Sequence, residues 1–450
     1  MSPPGHPTHP IHSTHPTQSQ LDGLYTNRLT TEEQRAVLRH LLTRCEVCRA
    51  YLRRRLDPGP DPAFLAPAPD EERGWRLTAA GPMDRLLATS LWAVLEGRNH
   101  VQQLRMVAHD PRFHEPTLVE RLIEVGGERQ LRDPHAARDL ARLALAVADH
   151  LDPTAHPRAL VADCRTAALA HLGDAERRCE DLAASQRAFA LAWSSLLQGS
   201  GDARDRANLM RLEAALRFAL GDRERGLRRL RSAASIYQSC KDFHEQGRTV
   251  LQMAQALGHR DPWRGVALAR ESLDLIDGRG EPRLELSARH GLAWFLDDAG
   301  ESREALELLE GSRLLYRQME SSQPRLHQSW LEGRISRSLG DLGAAEETLK
   351  TVWRDFRESG FNQDLTLVSL DLAEVFVARR KTRHAVLLLR RFEPTLRLFK
   401  MHPHGMAAWL LVREALGTEA AHARSLLREA ALYFRQAWRR PLPFRRRGRR

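Results

Sequence analysis

The stretch from Leu284 to Tyr316, LELSARHGLAWFLDDAGESREALELLEGSRLLY, decides the fold of this chain. An apolar helical segment ends at Gly300, and a second helical segment follows whose early turns carry Ala305. Two further copies of the pattern run from His327 to Phe356 and from Leu367 to Leu398. Helix–turn–helix units that recur roughly every forty residues indicate a helical solenoid.

Six residues mark the predicted turns between paired helices, because a helix often ends at a left-handed residue that glycine adopts easily. They are Gly173, Gly221, Gly258, Gly300, Gly340 and Arg380. Small residues precede four of these turns by seven positions: Ala214, Ala293, Gly333 and Ala373. In the last three copies an alanine follows the turn by five positions and a leucine comes four positions later: Ala305 and Leu309, Ala345 and Leu349, Ala385 and Leu389. Two helices approach closely only where side chains are small, so we expect these positions at helix contacts.

The composition, 42% hydrophobic and 28% charged residues, is typical of a core-forming protein, and good helix formers dominate it. A net charge of +11 favours a nucleic-acid partner only if it is spread over the chain. Residues 435–450 hold eight arginines and no acidic residue, and without these arginines the net charge is +3. The basic character therefore belongs to the end of the sequence.

Several protein classes lack their usual signatures in this sequence. Residues 1–20 are rich in Pro and His, unlike a signal peptide, and no apolar stretch is long enough to cross a membrane. Five cysteines without a secretory signal do not indicate a disulfide framework. We therefore expect a cytoplasmic protein without a membrane partner. The phosphate-loop, dinucleotide-binding, HExxH and GxSxG motifs are missing, so we expect no enzymatic activity.

Composition divides the chain into six predicted segments. They are a disordered His/Pro-rich tail at 1–20, a zinc-finger module at 21–52, a Pro-rich linker at 53–82, an N-terminal helical cap at 83–151, the repeats with a C-terminal capping helix at 152–438, and an Arg-rich tail at 439–450. Within the second segment, Thr30 or Thr31 followed by Glu33 has the pattern of a helix start.

His40, Cys45 and Cys48 lie together after an apolar stripe in this second segment. Two cysteines separated by two residues can turn both thiolates toward one ion, and a nearby imidazole can supply a third ligand. The pattern therefore predicts a zinc site. The alternative interpretation is that both cysteines are small apolar residues at the end of a helix.

The segment that holds Leu21–Leu24, Leu29–Glu33 and His40–Arg49 resembles the zinc-binding domain of bacterial anti-sigma factors. That family has an upstream His or Cys, then a histidine, then CxxC. The resemblance implies zinc held by His15, His40, Cys45 and Cys48, with His12 as the alternative to His15. It also implies a sigma factor as a partner.

The helix pairs resemble the tetratricopeptide repeat, with longer helices than the usual 34-residue form. The resemblance implies an all-α protein, an α-solenoid of helix pairs whose first helices line a concave groove for a protein or peptide. The groove residues that it implies are Asn208, Arg211, His290, Trp294, Trp330, Arg334 and Arg337. Arg334 and Arg337 lie one turn apart, as in a clamp for a peptide carboxylate. The alternative is that the tryptophans pack between repeats and the arginines are solvated. The order of finger-like segment, tether and repeats resembles a group of uncharacterised bacterial proteins.

A second functional hypothesis is a nucleic-acid-associated transcriptional regulator that uses the closing arginines. These are Arg445, Arg446, Arg447, Arg449 and Arg450. Arginines bind phosphates with a strongly salt-dependent affinity. No recognition module accompanies them, so the primary hypothesis remains an interaction protein.

Overall fold

A computed structural model describes residues 15–21, 29–30, 32–33, 36–37, 40, 45, 47–48, 51, 82–130, 133–319, 322–359, 362–398, 401, 403–418 and 420–437. The chain divides into two compact units, Met1–Lys241 and Asp242–Arg450. Every regular element among the described residues is a helix, which confirms the predicted all-α class.

Among its described residues from Pro82 onward, the first unit contains eight α-helices. They are α1 Pro82–Glu96, α2 His100–His109, α3 Pro116–Arg129, α4 Pro134–His150, α5 Arg158–Arg178, α6 Leu182–Leu196, α7 Ala203–Ala219 and α8 Arg223–Ser239. Neighbours in sequence pack as pairs, α3 on α4, α5 on α6 and α7 on α8. Apolar side chains between α1 and α5, Leu95, Leu118, Leu122 and Leu143 among them, are fully buried.

The second unit contains the helices α9–α19. They are α9 Phe243–Gly258, α10 Pro262–Leu275, α11 Pro282–Ala299, α12 Ser302–Gly311, α13 Arg313–Gln318, α14 Gln323–Leu339, α15 Leu342–Ser359, α16 Asn362–Ala378, α17 Thr382–Leu398, α18 Pro403–Thr418 and α19 Ala420–Ala437. One continuous apolar core joins residues from Ala254 to Phe434. The first helices of the pairs are α9, α11, α14, α16 and α18.

Four of the six predicted turns have the left-handed backbone that we expect. Gly221, Gly300 and Gly340 have φ of 86°, 96° and 93°, and Arg380 has φ of 58°. The turn predicted at Gly173 is wrong, because this glycine lies inside α5.

Gly173 and Gly258 are glycines because aromatic rings pack on them. A Cβ on Gly173 would lie 2.8 Å from Cε2 of Phe189. The turn that follows α5 contains Glu180, which has the left-handed backbone with φ of 71°. Gly258, the other predicted turn, is the last residue of α9, and Phe295 packs on it in the same way.

The small residues lie at helix contacts, as predicted. Ala293, Ala305, Ala345 and Ala385 are fully buried. A Cβ on Gly333 would lie only 2.8 Å from Cγ of Leu349, so α14 and α15 approach too closely there for a larger side chain.

Aspartates begin many of the helices. Asp181, Asp222, Asp242 and Asp261 each accept a hydrogen bond from the backbone N–H three positions later, at 2.8–3.4 Å. These caps satisfy amides that have no partner inside the helix. None of the helices that the structure describes combines the length and the apolarity that a membrane span requires.

Candidate functional site

The four residues implied as metal ligands converge in the structure. Nδ1 of His15 lies 3.3 Å from Sγ of Cys45 and 3.5 Å from Sγ of Cys48. Nε2 of His40 lies 3.3 Å from Sγ of Cys48. One donor atom from each residue lies within 4.8 Å of all the others. His15 therefore completes the group, whereas His12 lies outside the described residues.

This donor set fits zinc. Two thiolates and two imidazoles are a common tetrahedral set, and zinc bonds of this kind place neighbouring donors roughly 3.5 Å apart. Burial and the neighbouring Cys45 raise the pKa of Cys48, and a cation between the sulfurs would have the opposite effect.

Local structure positions these ligands. Thr30 and Glu33 form the predicted helix start: the Thr30 amide donates to Oε2 of Glu33 at 2.9 Å, and the Glu33 amide donates to Oγ1 of Thr30 at 3.4 Å. Leu21, Val37 and Cys48 form a small buried apolar cluster in the same segment.

A second group of polar residues lies on one side of the second unit, which we call the first-helix face. It consists of side chains from α11, α14 and α16 around Trp294 and Trp330. The two indole rings pack edge to face with centroids 5.1 Å apart, and both are buried, at 7% and 2% exposure. Nε1 of Trp330 donates to Oδ2 of Asp371 at 2.8 Å.

The predicted arginine clamp binds carboxylates of the chain itself. Nη2 of Arg334 donates to Oδ1 of Asp298 at 2.6 Å, and its guanidinium lies over Trp294 at 4.2 Å. Nη1 of Arg337 donates to Asp371 at 3.1 Å and to Glu374 at 2.9 Å. Burial alone would lower the pKa of Arg334, but Asp371, Asp298 and Asp297 raise it. Both arginines therefore lie in an internal network of ion pairs.

His290 and His327 line the same face. Nδ1 of His290 lies 2.7 Å from the Tyr316 hydroxyl, and burial, followed by the charge of His327, lowers the pKa of His290 to about 3. Burial opposes protonation of His327 as well, but its contact with Asp364, 3.3 Å long, outweighs burial and raises the pKa of His327.

The remaining predicted groove residues lie on α7 in the first unit. Nη2 of Arg211 donates to Oδ1 of Asn208 at 2.7 Å, and both side chains are half-buried. The closing arginines, 445–450, lie outside the described residues.

Sequence reasoning missed the acidic partners of the arginines. Asp298, Asp371 and Glu374 lie 34–37 residues from the arginines that they pair with. A search for opposite charges about one repeat apart would have found them. It also missed Arg435, which sequence analysis grouped with the basic end and which the structure buries against Trp294.

No protein-family model matches the sequence, and no curated protein matches it. Among solved structures, the chain is similar to a Rap protein complexed with Competence and Sporulation Factor, with a TM-score of 0.53. The match has 15% sequence identity and covers 72% of this chain and 89% of that one. At this identity the likeness concerns the fold alone. Together with the paired helices, it shows that the protein is a tetratricopeptide-like α-solenoid.

Proposed function

We propose that the protein is a non-enzymatic regulator that binds a protein or peptide partner along its first helices. The observation that carries this proposal is the concentration of Trp294, Trp330, Arg334 and Arg337 on one face. Tryptophan and arginine are the residues that most often dominate binding energy at interfaces. The fold supports the proposal, since a Rap protein of similar fold is complexed with Competence and Sporulation Factor.

Site-specific photocrosslinking tests this function. A photoreactive phenylalanine at Asn208, on the first helix α7, should capture a partner in cells. The same residue at Glu224, exposed on the second helix α8, should not. The captured partner, identified by mass spectrometry and purified, should bind Arg211→Ala at least tenfold more weakly, or about 1.4 kcal/mol. Equal capture at both positions, or unchanged affinity, would contradict binding at the first helices.

We further propose that His15, His40, Cys45 and Cys48 hold zinc and that this module binds a second partner, a sigma factor. The convergence of the donor atoms supports the metal, and the resemblance to anti-sigma domains supports the partner. Zinc would join the segments around His15, His40 and Cys45 and so present a fixed surface. A purified sigma factor should bind the zinc-loaded chain, and Cys45→Ser/Cys48→Ser should abolish that binding while capture at Asn208 persists.

A further inference from the structure

The helix α19 packs more extensively on α16 than on α18, its neighbour in sequence. From α16 it reaches the first helices of earlier pairs. The guanidinium of Arg435 lies over the Trp294 ring of α11 at 4.6 Å and 3.8 Å from Oδ2 of Asp298. It also lies 3.4 Å from Nδ1 of His259, which follows α9. A single helix therefore packs on α16 and reaches α11 and the residue after α9 through the side chain of Arg435.

The charges of α19 balance those of the face. The ion-pair network around Arg334 and Arg337 contains these two guanidinium groups and four carboxylates, from Asp297, Asp298, Asp371 and Glu374. Without α19 the formal charge of this network is therefore −2. The helix contributes Arg435 and Arg428, whose Nε donates to Oε1 of Glu374 at 2.7 Å, and these two charges bring the sum to zero.

Buried apolar residues of α19 lie beside these two arginines. Leu427, Ala430 and Phe434 are buried in the core of the second unit, and the Phe434 ring packs on Trp409 with centroids 5.9 Å apart. Arg428 and Arg435 are two helical turns apart, so α19 presents one amphipathic face with an arginine at each end. Helical ligands that bind in grooves are amphipathic in the same way and place their apolar face in the groove.

The fit of Arg435 is incomplete. Its guanidinium shares Trp294 with the guanidinium of Arg334, and burial together with that like charge lowers the pKa of Arg435 to about 10. Three buried polar atoms around it accept or donate no hydrogen bond: Nε1 of Trp294, Oδ2 of Asp297 and Nε of Arg334. Nε1 of Trp294 and Nε of Arg334 are donors, so a ligand that carried an acceptor beside its arginine would bind the face better than α19 does.

We propose that α19 is an internal occupant of the first-helix face, and that the partner displacing it is a basic amphipathic helix with arginines two turns apart. This inference rests on the proposed function and deepens it. The partner would place one arginine between Trp294 and the carboxylates of α11, and a second arginine on Glu374. Because α19 and the partner compete for the same contacts, binding depends on the difference between their affinities.

A synthetic peptide of residues 420–437, AAHARSLLREAALYFRQA, is the probe. The receptor is the full chain with Arg428→Ala/Arg435→Ala, which weakens α19 but leaves the face intact. The labelled peptide should bind this variant at least tenfold more tightly than it binds the unchanged chain, as measured by fluorescence anisotropy. Arg424→Ala, which removes an exposed arginine of the same helix, is the matched control and should behave like the unchanged chain.

A peptide that carries the same two alanines should bind none of these chains. The inference is overturned if the original peptide does not bind the double variant, or if the alanine peptide binds as well. Hydrogen exchange on the unchanged chain tests the same point without a variant. An isotope-labelled peptide should speed exchange in α19 while α16 remains protected, and unchanged exchange in α19 would overturn displacement. A partner captured at Asn208 without any of these effects would preserve the proposed function and remove only this inference.

Discussion

The His/Cys cluster and the first-helix face both join polar groups from distant positions, but different interactions stabilise them. Around the cluster, the described buried residues are Leu21, Val37 and Cys48. The face instead lies on the continuous core of the second unit, and its arginines are paired with carboxylates of the same chain. If the cluster holds zinc as we propose, the first site is ordered by an external ligand, whereas the second supplies its own carboxylates. A small module that buries little apolar surface depends on such a ligand for stability.

Removing the metal from the His/Cys cluster should have a larger effect on stability than any change in the first-helix face. Structural zinc contributes on the order of 10–16 kcal/mol to small domains at neutral pH. Cys45→Ser/Cys48→Ser should therefore lose the zinc, and the segment around residues 15–51 should become sensitive to protease while the second unit stays resistant. Elemental analysis and limited proteolysis measure both effects.

Cys240→Ser is the matched control for this experiment, since Cys240 lies at the end of α8, outside the cluster. One zinc per chain in the control and none in the double variant is the expected result. Equal zinc in both would show that the cluster is not the site.

Arg334→Met should have the next largest effect, and it acts on the face. The change leaves the buried carboxylates of Asp297 and Asp371 and the half-buried carboxylate of Asp298 without the guanidinium that they share, which costs about 3–5 kcal/mol. Urea unfolding should show this loss, and Asp371→Asn in the same chain should recover part of it. Arg303→Met, at an exposed position of α12, should change stability by less than about 0.5 kcal/mol. A similar small change for Arg334→Met would mean that the pairs on the face contribute little.

The pH dependence of the face should come partly from His290. Its folded pKa, about 3, lies below its ordinary value of 6.5, so its contribution to stability is present above pH 6.5 and is lost as the pH falls. Between pH 7 and pH 5 the loss should be about 2 kcal/mol, because the unfolded chain takes up a proton that the folded chain does not.

His290→Gln should remove this part of the pH dependence, whereas His109→Gln, at an exposed position of α2, should keep it. His327 has a raised pKa, so its own contribution is present at low pH and is lost as the pH rises through that pKa. Identical pH profiles for the unchanged chain and His290→Gln would contradict the assignment.

Gly333→Ala should have the smallest effect on stability, because it changes only the close packing of α14 against α15 beneath the first-helix face. The added Cβ meets Cγ of Leu349 at 2.8 Å, a cost of about 1–3 kcal/mol that the better helix propensity of alanine offsets by about 1. We expect a net loss of about 1 kcal/mol in urea unfolding. Gly343→Ala, whose Cβ meets no atom closer than 3.5 Å, should instead stabilise the chain slightly. Stabilisation by both changes would show that α14 and α15 can move apart.

The helix pairs were predictable because their signals are local. Gly300 and Gly340 end helices with a backbone that glycine adopts easily, and Ala305 and Ala345 lie where helices meet. The turn prediction at Gly173 was wrong because a glycine packed under an aromatic ring cannot be distinguished in sequence from a glycine in a turn. Only the position of Phe189, on the next helix, distinguishes the two.

The candidate sites were predictable in their residues but not in their partners. His15 was placed with Cys45 and Cys48 through a family resemblance, and the structure brings the three together. The carboxylates that neutralise Arg334 and Arg337 lie one repeat away, and the covering arginine, Arg435, lies about a hundred residues later in the chain. Contacts over such distances depend on how repeats stack, which residue spacing within one repeat does not contain.

The position of α19 in the chain also sets an order of events during translation. The ribosome synthesises α11, α14 and α16 before it synthesises the helix that covers them. Until Arg428 and Arg435 emerge, the nascent protein exposes an acidic face whose charge is not yet balanced. A basic partner that is already present can bind at this stage without competing with α19. The outcome of the competition then depends on the timing of synthesis as well as on affinity.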